Sequence, residues 1–152
     1  MKKLFAVILT VAMLATMSVT AFAANTTGGK ADITTSIAPT YTVTIPADVN
    51  VQFNATETAF GTIEVTASQI HPDKCIKVAL ATDKELNNAI DNTKVIPYAI
   101  KDSEGAAFTS STYLTEGDKT ELSIHITADD WNAAYAGDYS DTVTFTVSYE
   151  DR

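Results

Sequence analysis

The residues able to do chemistry in this chain are few and far apart. There are two histidines, His71 and His125, and a single cysteine, Cys75. A hydrolase needs a nucleophile, a base within hydrogen-bond reach and a group that orients the base. His71 stands in the turn His71-Pro72-Asp73, four residues before Cys75, with no third partner nearby in sequence. His125 falls on the polar phase of Leu122–Ile126 and is expected to face solvent. No Gly-x-Ser-x-Gly elbow is present. The pattern argues against an enzyme. Cys75 has no second cysteine to pair with, so it reads as a buried, inert thiol in preference to one offered to an outside partner.

Metal sites fare little better. Zinc wants three or four ligands at close spacing, and the best cluster, His125 with Asp129 and Asp130, lacks a second histidine. Carboxylates at a helix start are favoured by the helix dipole without any metal. Calcium wants oxygens from converging loops. Asp129, Asp130 and Asp138 are weak candidates, and the chain has no Asp-x-Asp-x-Asp-Gly run. No cofactor is expected. Asp141 is the odd carboxylate, sharing a phase with Tyr139, Val143 and Phe145. A lone buried carboxylate is costly, so it is expected at a sheet end, accepting backbone hydrogen bonds.

Two binding readings remain. Tyr98, Phe108, Tyr113, Trp131 and Tyr135 lie outside the cleanest core phases. They either close the core at strand ends or offer stacking platforms for sugars, with Tyr113, Trp131 and Tyr135 the candidates. The segment Ala31–Ile37 alternates weakly through Ile33, Thr35 and Ile37 before Pro39. It reads as a short first strand, able to pair with its own sheet edge or with a neighbour's; Ile33 and Ile37 are the assembly candidates.

The elements that must position these residues are strands. Period-two alternation, with threonine on the wet phase, runs through Tyr41–Ile45, Val49–Phe53, Ile63–Thr66, Ile76–Leu80, Leu122–Ile126 and Thr142–Tyr149. Alternation of this kind puts one set of side chains in a core and the other in water. It denotes half-buried antiparallel sheets, since parallel sheets read as continuous apolar runs. Val95–Ile100 is a further strand, placed at an edge or bulge because Pro97 lacks a ladder donor. Thr82–Asn88 is expected to form a short helical turn. Thr127-Ala128-Asp129-Asp130 starts like a capping box, leading through Trp131 to a stop at Gly137. The fold class expected is all-β: an antiparallel, immunoglobulin-like β-sandwich of roughly seven to nine strands, with one or two helical turns.

The N-terminus frames this domain. Lys2 and Lys3 precede an uncharged apolar run, Leu4–Ala15, and the segment ends Ala21-Phe22-Ala23. That is the pattern of a secretory signal peptide over residues 1–23, cleaved after Ala23. Residues 24–38 follow as a flexible leader and short N-terminal strand, and residues 39–152 as the sandwich domain. The net charge is −9, and losing Lys2 and Lys3 makes it more negative. A chain this acidic is repelled by nucleic acid and by anionic lipid.

Two stretches carry a resemblance. Thr40-Tyr41-Thr42-Val43-Thr44-Ile45-Pro46-Ala47 and Ala136-Gly137-Asp138-Tyr139-Ser140-Asp141-Thr142-Val143-Thr144-Phe145-Thr146-Val147 together resemble small secreted immunoglobulin-like proteins of Gram-positive bacteria. The second is also similar to the last strand of spore coat protein U and fimbrial-type domains, with their Gly-x-Tyr-x-Asp-Thr-Val ending. The resemblance covers the first and last strands of the domain. It implies a surface-exposed or extracellular structural or adhesive protein without a cofactor. The expected partners are other extracellular or surface proteins, further copies of the chain, or glycans. Nucleic acid is not expected as a partner, nor is a membrane once the leader is cleaved.

Overall fold

The computed structural model describes residues 8–11, 30 and 32–152. In chain order its elements are β1 (Ile8–Val11), β2 (Thr40–Thr44), β3 (Glu57–Gln69), β4 (Lys74–Ala81), β5 (Glu85–Asn88), β6 (Val95–Pro97), β7 (Ala99–Asp102), β8 (Ser110–Tyr113), β9 (Lys119–His125), α1 (Ala128–Ala133), β10 (Tyr139–Ser140) and β11 (Thr144–Asp151). The fold is all-β. Its strands form three antiparallel sheets, in the orders β1-β2-β3-β9-β7, β11-β4-β8 and β10-β5-β6.

The alternating residues build the core. Tyr41, Val43, Ile63, Val65, Ile76, Val78, Leu122, Ile124 and Ile126 are all buried, joined by Ile96 and Ile100. Each such aliphatic side chain gains about 1.5–3 kcal/mol by leaving water, which makes these strands the main source of stability. The first sheet packs on the β11 sheet in sandwich-like fashion. The Tyr41 and Tyr149 rings stack at 5.8 Å, and the Phe60 and Phe145 rings lie 5.9 Å apart. Phe60 is the extra residue of a bulge in β3, between Ala59 and Gly61. The bulge re-aims its side chain.

The smaller two sheets follow one path. β4 continues through Thr82–Lys84 into β5, while β10 and β11 run along the same side of it. Residues 141–143 stand opposite 82–86, between the Ser140–Asn87 and Thr144–Ala81 pairs. This double break splits what would be continuous strands, and it is one reason the segments outnumber the seven to nine expected. The other is Val95–Ile100, which divides into β6 and β7. Pro97 closes β6 at the edge of its sheet, where a missing donor costs nothing.

Two segments between the strands are corrected first. Thr82–Asn88 is not helical: Lys84 has φ 63°, which turns the chain, and Glu85–Asn88 then pairs as β5. Val49–Phe53 is not a strand. It belongs to the long connection from β2 to β3, which Pro46 opens and which turns at Asn54, φ 64°. Alternation alone could not separate an extended loop packed on the core from a paired strand.

The capping box is present. Thr127 accepts from the Asp130 backbone N–H at 3.1 Å and donates to the Asp130 carboxylate. The helix ends at Ala133, short of Gly137. Gly137 has φ 148°, and a Cβ there would lie 2.6 Å from Asn88 Nδ2. It therefore lets the chain pass the buried Asn88, whose Oδ1 accepts from the backbone N–H groups of Ile90 and Asp91.

Of the expected leader, Ile8–Val11 pairs antiparallel with β2, from Ile8–Thr44 to Val11–Tyr41. The remainder of residues 1–23, including the cleavage position, lies outside the described residues, as do residues 24–29. The expected first strand is not formed: residues 32–39 have no strand pairing.

Candidate functional site

Three features stand out. The first is a hydrogen-bonded clamp at the double break. Thr82 leaves the end of β4, Tyr98 lies between β6 and β7, and Asp141 lies between β10 and β11. Tyr98 Oη and Thr82 Oγ1 both donate to Asp141 Oδ2, the latter at 2.7 Å. Thr142 N donates to Asp141 Oδ1 at 2.6 Å, and Lys84 N donates to Thr82 Oγ1 at 2.9 Å. Burial raises the Tyr98 phenol well above its ordinary value, and the carboxylate beside it adds to the shift. Asp141 thus sits at a sheet break and accepts a backbone N–H, and the two hydroxyls were not foreseen. The signal in the sequence was a carboxylate on an apolar phase.

The second feature is a groove of about 1300 Å³ with a mixed apolar and polar lining. The loop that follows β2 contributes Ile45 and Val51. Phe60, Trp131 and Phe145 come from the strands and helix around it, Val143 from the break before β11, and Tyr98 and Asp141 stand among its polar residues. Trp131 donates its Nε1 hydrogen to Ala55 O at 2.9 Å and meets the exposed Phe53 edge-on at 5.6 Å. Sequence reading missed this groove because it assigned Val49–Phe53 to a strand.

The third is the outer edge of β2. Its sequence, Thr-Tyr-Thr-Val-Thr, carries no charge. Charges, prolines and bulges are the usual guards of an edge; here the bulge between Thr42 and Val43 lies in the pairing with β3. In the full chain β1 holds this edge. Directly before β2, Ile33 and Ile37 are 98% and 63% exposed.

The other candidates are scattered. Tyr113 is buried, and its hydroxyl donates to Thr120 Oγ1 at 2.8 Å, so its ring is no stacking platform. Tyr98 and Phe108 are likewise core residues. Tyr135 is exposed, with the Lys94 ammonium 5.0 Å from its ring centre. Asp129 and Asp130 occupy the first turn of α1, and Asp138 accepts from Ala89 N through its backbone carbonyl. Among the described residues, no three His, Cys, Asp or Glu side chains are grouped to hold a metal ion. His125 lies 2.9 Å from Ser123 Oγ and 3.8 Å from the Glu57 carboxylate. Cys75 is buried against the end of β11, its sulfur 3.7 Å from Asp151 O.

Comparison with known family models, with curated proteins and with solved structures found no match.

Proposed function

We propose that this is a secreted, non-enzymatic structural or adhesion protein that works outside the cell or on its surface and self-associates through sheet edges. The observation that carries the reading is the uncharged outer edge of β2, preceded by a strand-like segment whose isoleucines face solvent. Export follows from the charge, apolar run and Ala-x-Ala ending of residues 1–23. Leader removal would strip β1 from β2 and leave a row of unpaired backbone groups. An immunoglobulin-like sandwich fits the β2-β3-β9-β7 sheet packed against β11-β4-β8. The Gly137–Val143 ending, similar to that of spore coat U and fimbrial-type domains, fits the same role.

Fractionation of the producing cells tests it. The reading expects the processed protein on the surface, in fibres, or as multimers in the medium. Processed protein found only as a monomer in the medium contradicts it.

A second reading, a soluble carbohydrate- or ligand-binding module, is favoured by the groove, whose aromatic side chains stand among polar ones such as Asn50, Asn132 and Asp141. A glycan array tests it. Binding lost in Trp131→Ala supports it, and binding indifferent to that change removes it.

A further inference from the structure

We infer that the groove takes a linear polyamine, a ligand whose ammonium groups are separated by methylene runs. The inference rests on the ligand-binding reading above and names the class of its ligand.

Two stretches of chain supply most of the groove's lining, residues 45–51 and residues 136–143. Both bring carboxylates: Asp48 in the first, Asp138 and Asp141 in the second. Among the described residues that line the groove, none is a lysine, an arginine or a histidine. A cleft lined by charge of one sign focuses its field between low-dielectric walls. The occupant that this lining favours is therefore a cation.

The carboxylates are spread out. Among the described residues no three acids are grouped to hold a metal ion, so a single divalent cation finds no cage of oxygens there. Asp48 and Asp138 are exposed, while Asp141 is half-buried and held by Tyr98, Thr82 and the Thr142 N–H. The rest of the lining is largely apolar and aromatic, with Phe53, Phe60, Trp131 and Phe145 among its rings. Separate negative charges on an apolar surface match a ligand built the same way. Methylene runs lie along apolar side chains as lysine stems do. Ammonium groups are attracted both by carboxylates and by the faces of rings.

The chain itself supplies an example. The Lys94 ammonium lies 5.0 Å from the centre of the Tyr135 ring, and Tyr135 lines the groove. A bound polyamine competes with Lys94 for that ring.

The test uses the exported, processed protein. Its single tryptophan, Trp131, lines the groove and serves as the fluorescent reporter. The probes are terminal diaminooctane, octylamine and terminal octanediol, which share one stem and carry two, one and no ammonium groups. Affinity is expected to fall in that order, with the diamine binding about tenfold tighter than the diol at low salt and the difference shrinking as salt is added. Asp48→Asn and Asp138→Asn are each expected to weaken the diamine about threefold and to leave the diol unaffected. Lys94→Ala frees the Tyr135 ring and is expected to tighten the diamine. Glu116→Gln, at an exposed acid outside the groove, removes the same charge and is expected to change nothing. Any other order of affinity, or a loss in Glu116→Gln equal to that in Asp138→Asn, overturns the polyamine assignment and leaves the ligand-binding reading standing. Failure of all three probes to bind overturns it too, and an empty glycan array then removes the ligand-binding reading as well.

Discussion

Tyr98 and Asp141, 43 residues apart in sequence, are joined by a hydrogen bond across the point where two neighbouring strand paths break together. Thr82 completes the contact from the third chain segment. Asp141→Ala would remove the shared acceptor of two hydroxyls that lie 2.8 Å apart, so one can still donate to the other and one is left without a partner. An orphaned buried polar group costs about 1–3 kcal/mol. Urea unfolding of Asp141→Ala is expected to show a loss of about 2 kcal/mol, and Tyr98→Phe a smaller one, since Thr82 still reaches the carboxylate.

The same pair sets an alkaline limit. The folded state holds the Tyr98 proton more tightly than the unfolded chain does. Its contribution is therefore complete below the ordinary tyrosine value of about 10. It is lost as pH rises from there through the higher folded value. The urea midpoint is expected to fall above about pH 10, and Tyr98→Phe is expected to flatten that fall.

At low pH Asp118 acts together with Asp91 and Glu150, whose carboxyls are also held below their usual range by hydrogen bonds. The backbone N–H groups of Leu114 and Thr115, with the Thr115 hydroxyl, hold the Asp118 carboxyl below the usual range. The unfolded chain therefore takes up this proton first as pH falls. The stabilisation is full above the ordinary aspartate value of about 3.9 and disappears as pH drops through the folded one. Asp118→Asn is expected to make acid unfolding less steep.

Gly137→Ala is expected to destabilise by about 2 kcal/mol, through strained backbone and displacement of Asn88. Ile76→Ala, at a fully buried position, should cost about 3–4 kcal/mol. Chemical denaturation of the two variants checks both values.

Much of the fold was legible because the β-sheet period is simple. Ile63, Val65, Ile76, Val78, Leu122, Ile124 and Ile126 are core residues where alternation put them. The capping box of Thr127 and Asp130 was legible too, because it is a local hydrogen-bond pattern. Val49–Phe53 and Thr82–Asn88 were misread because their conformation is decided by distant neighbours. The first packs along a groove, and the second pairs with Val95–Pro97 and Tyr139–Ser140. Tyr113 could not be placed from its own segment, since its burial depends on where β8 docks on β4. The groove was invisible for the same reason. By contrast, exposed Ile33 and Ile37 were singled out by their alternation, although they form no strand in the single chain.

The most direct measurement is the mass of the exported, processed protein by sedimentation equilibrium across a wide concentration range. The account predicts reversible self-association in the wild type and a monomer in Ile37→Lys. A wild type that remains monomeric at every concentration contradicts it.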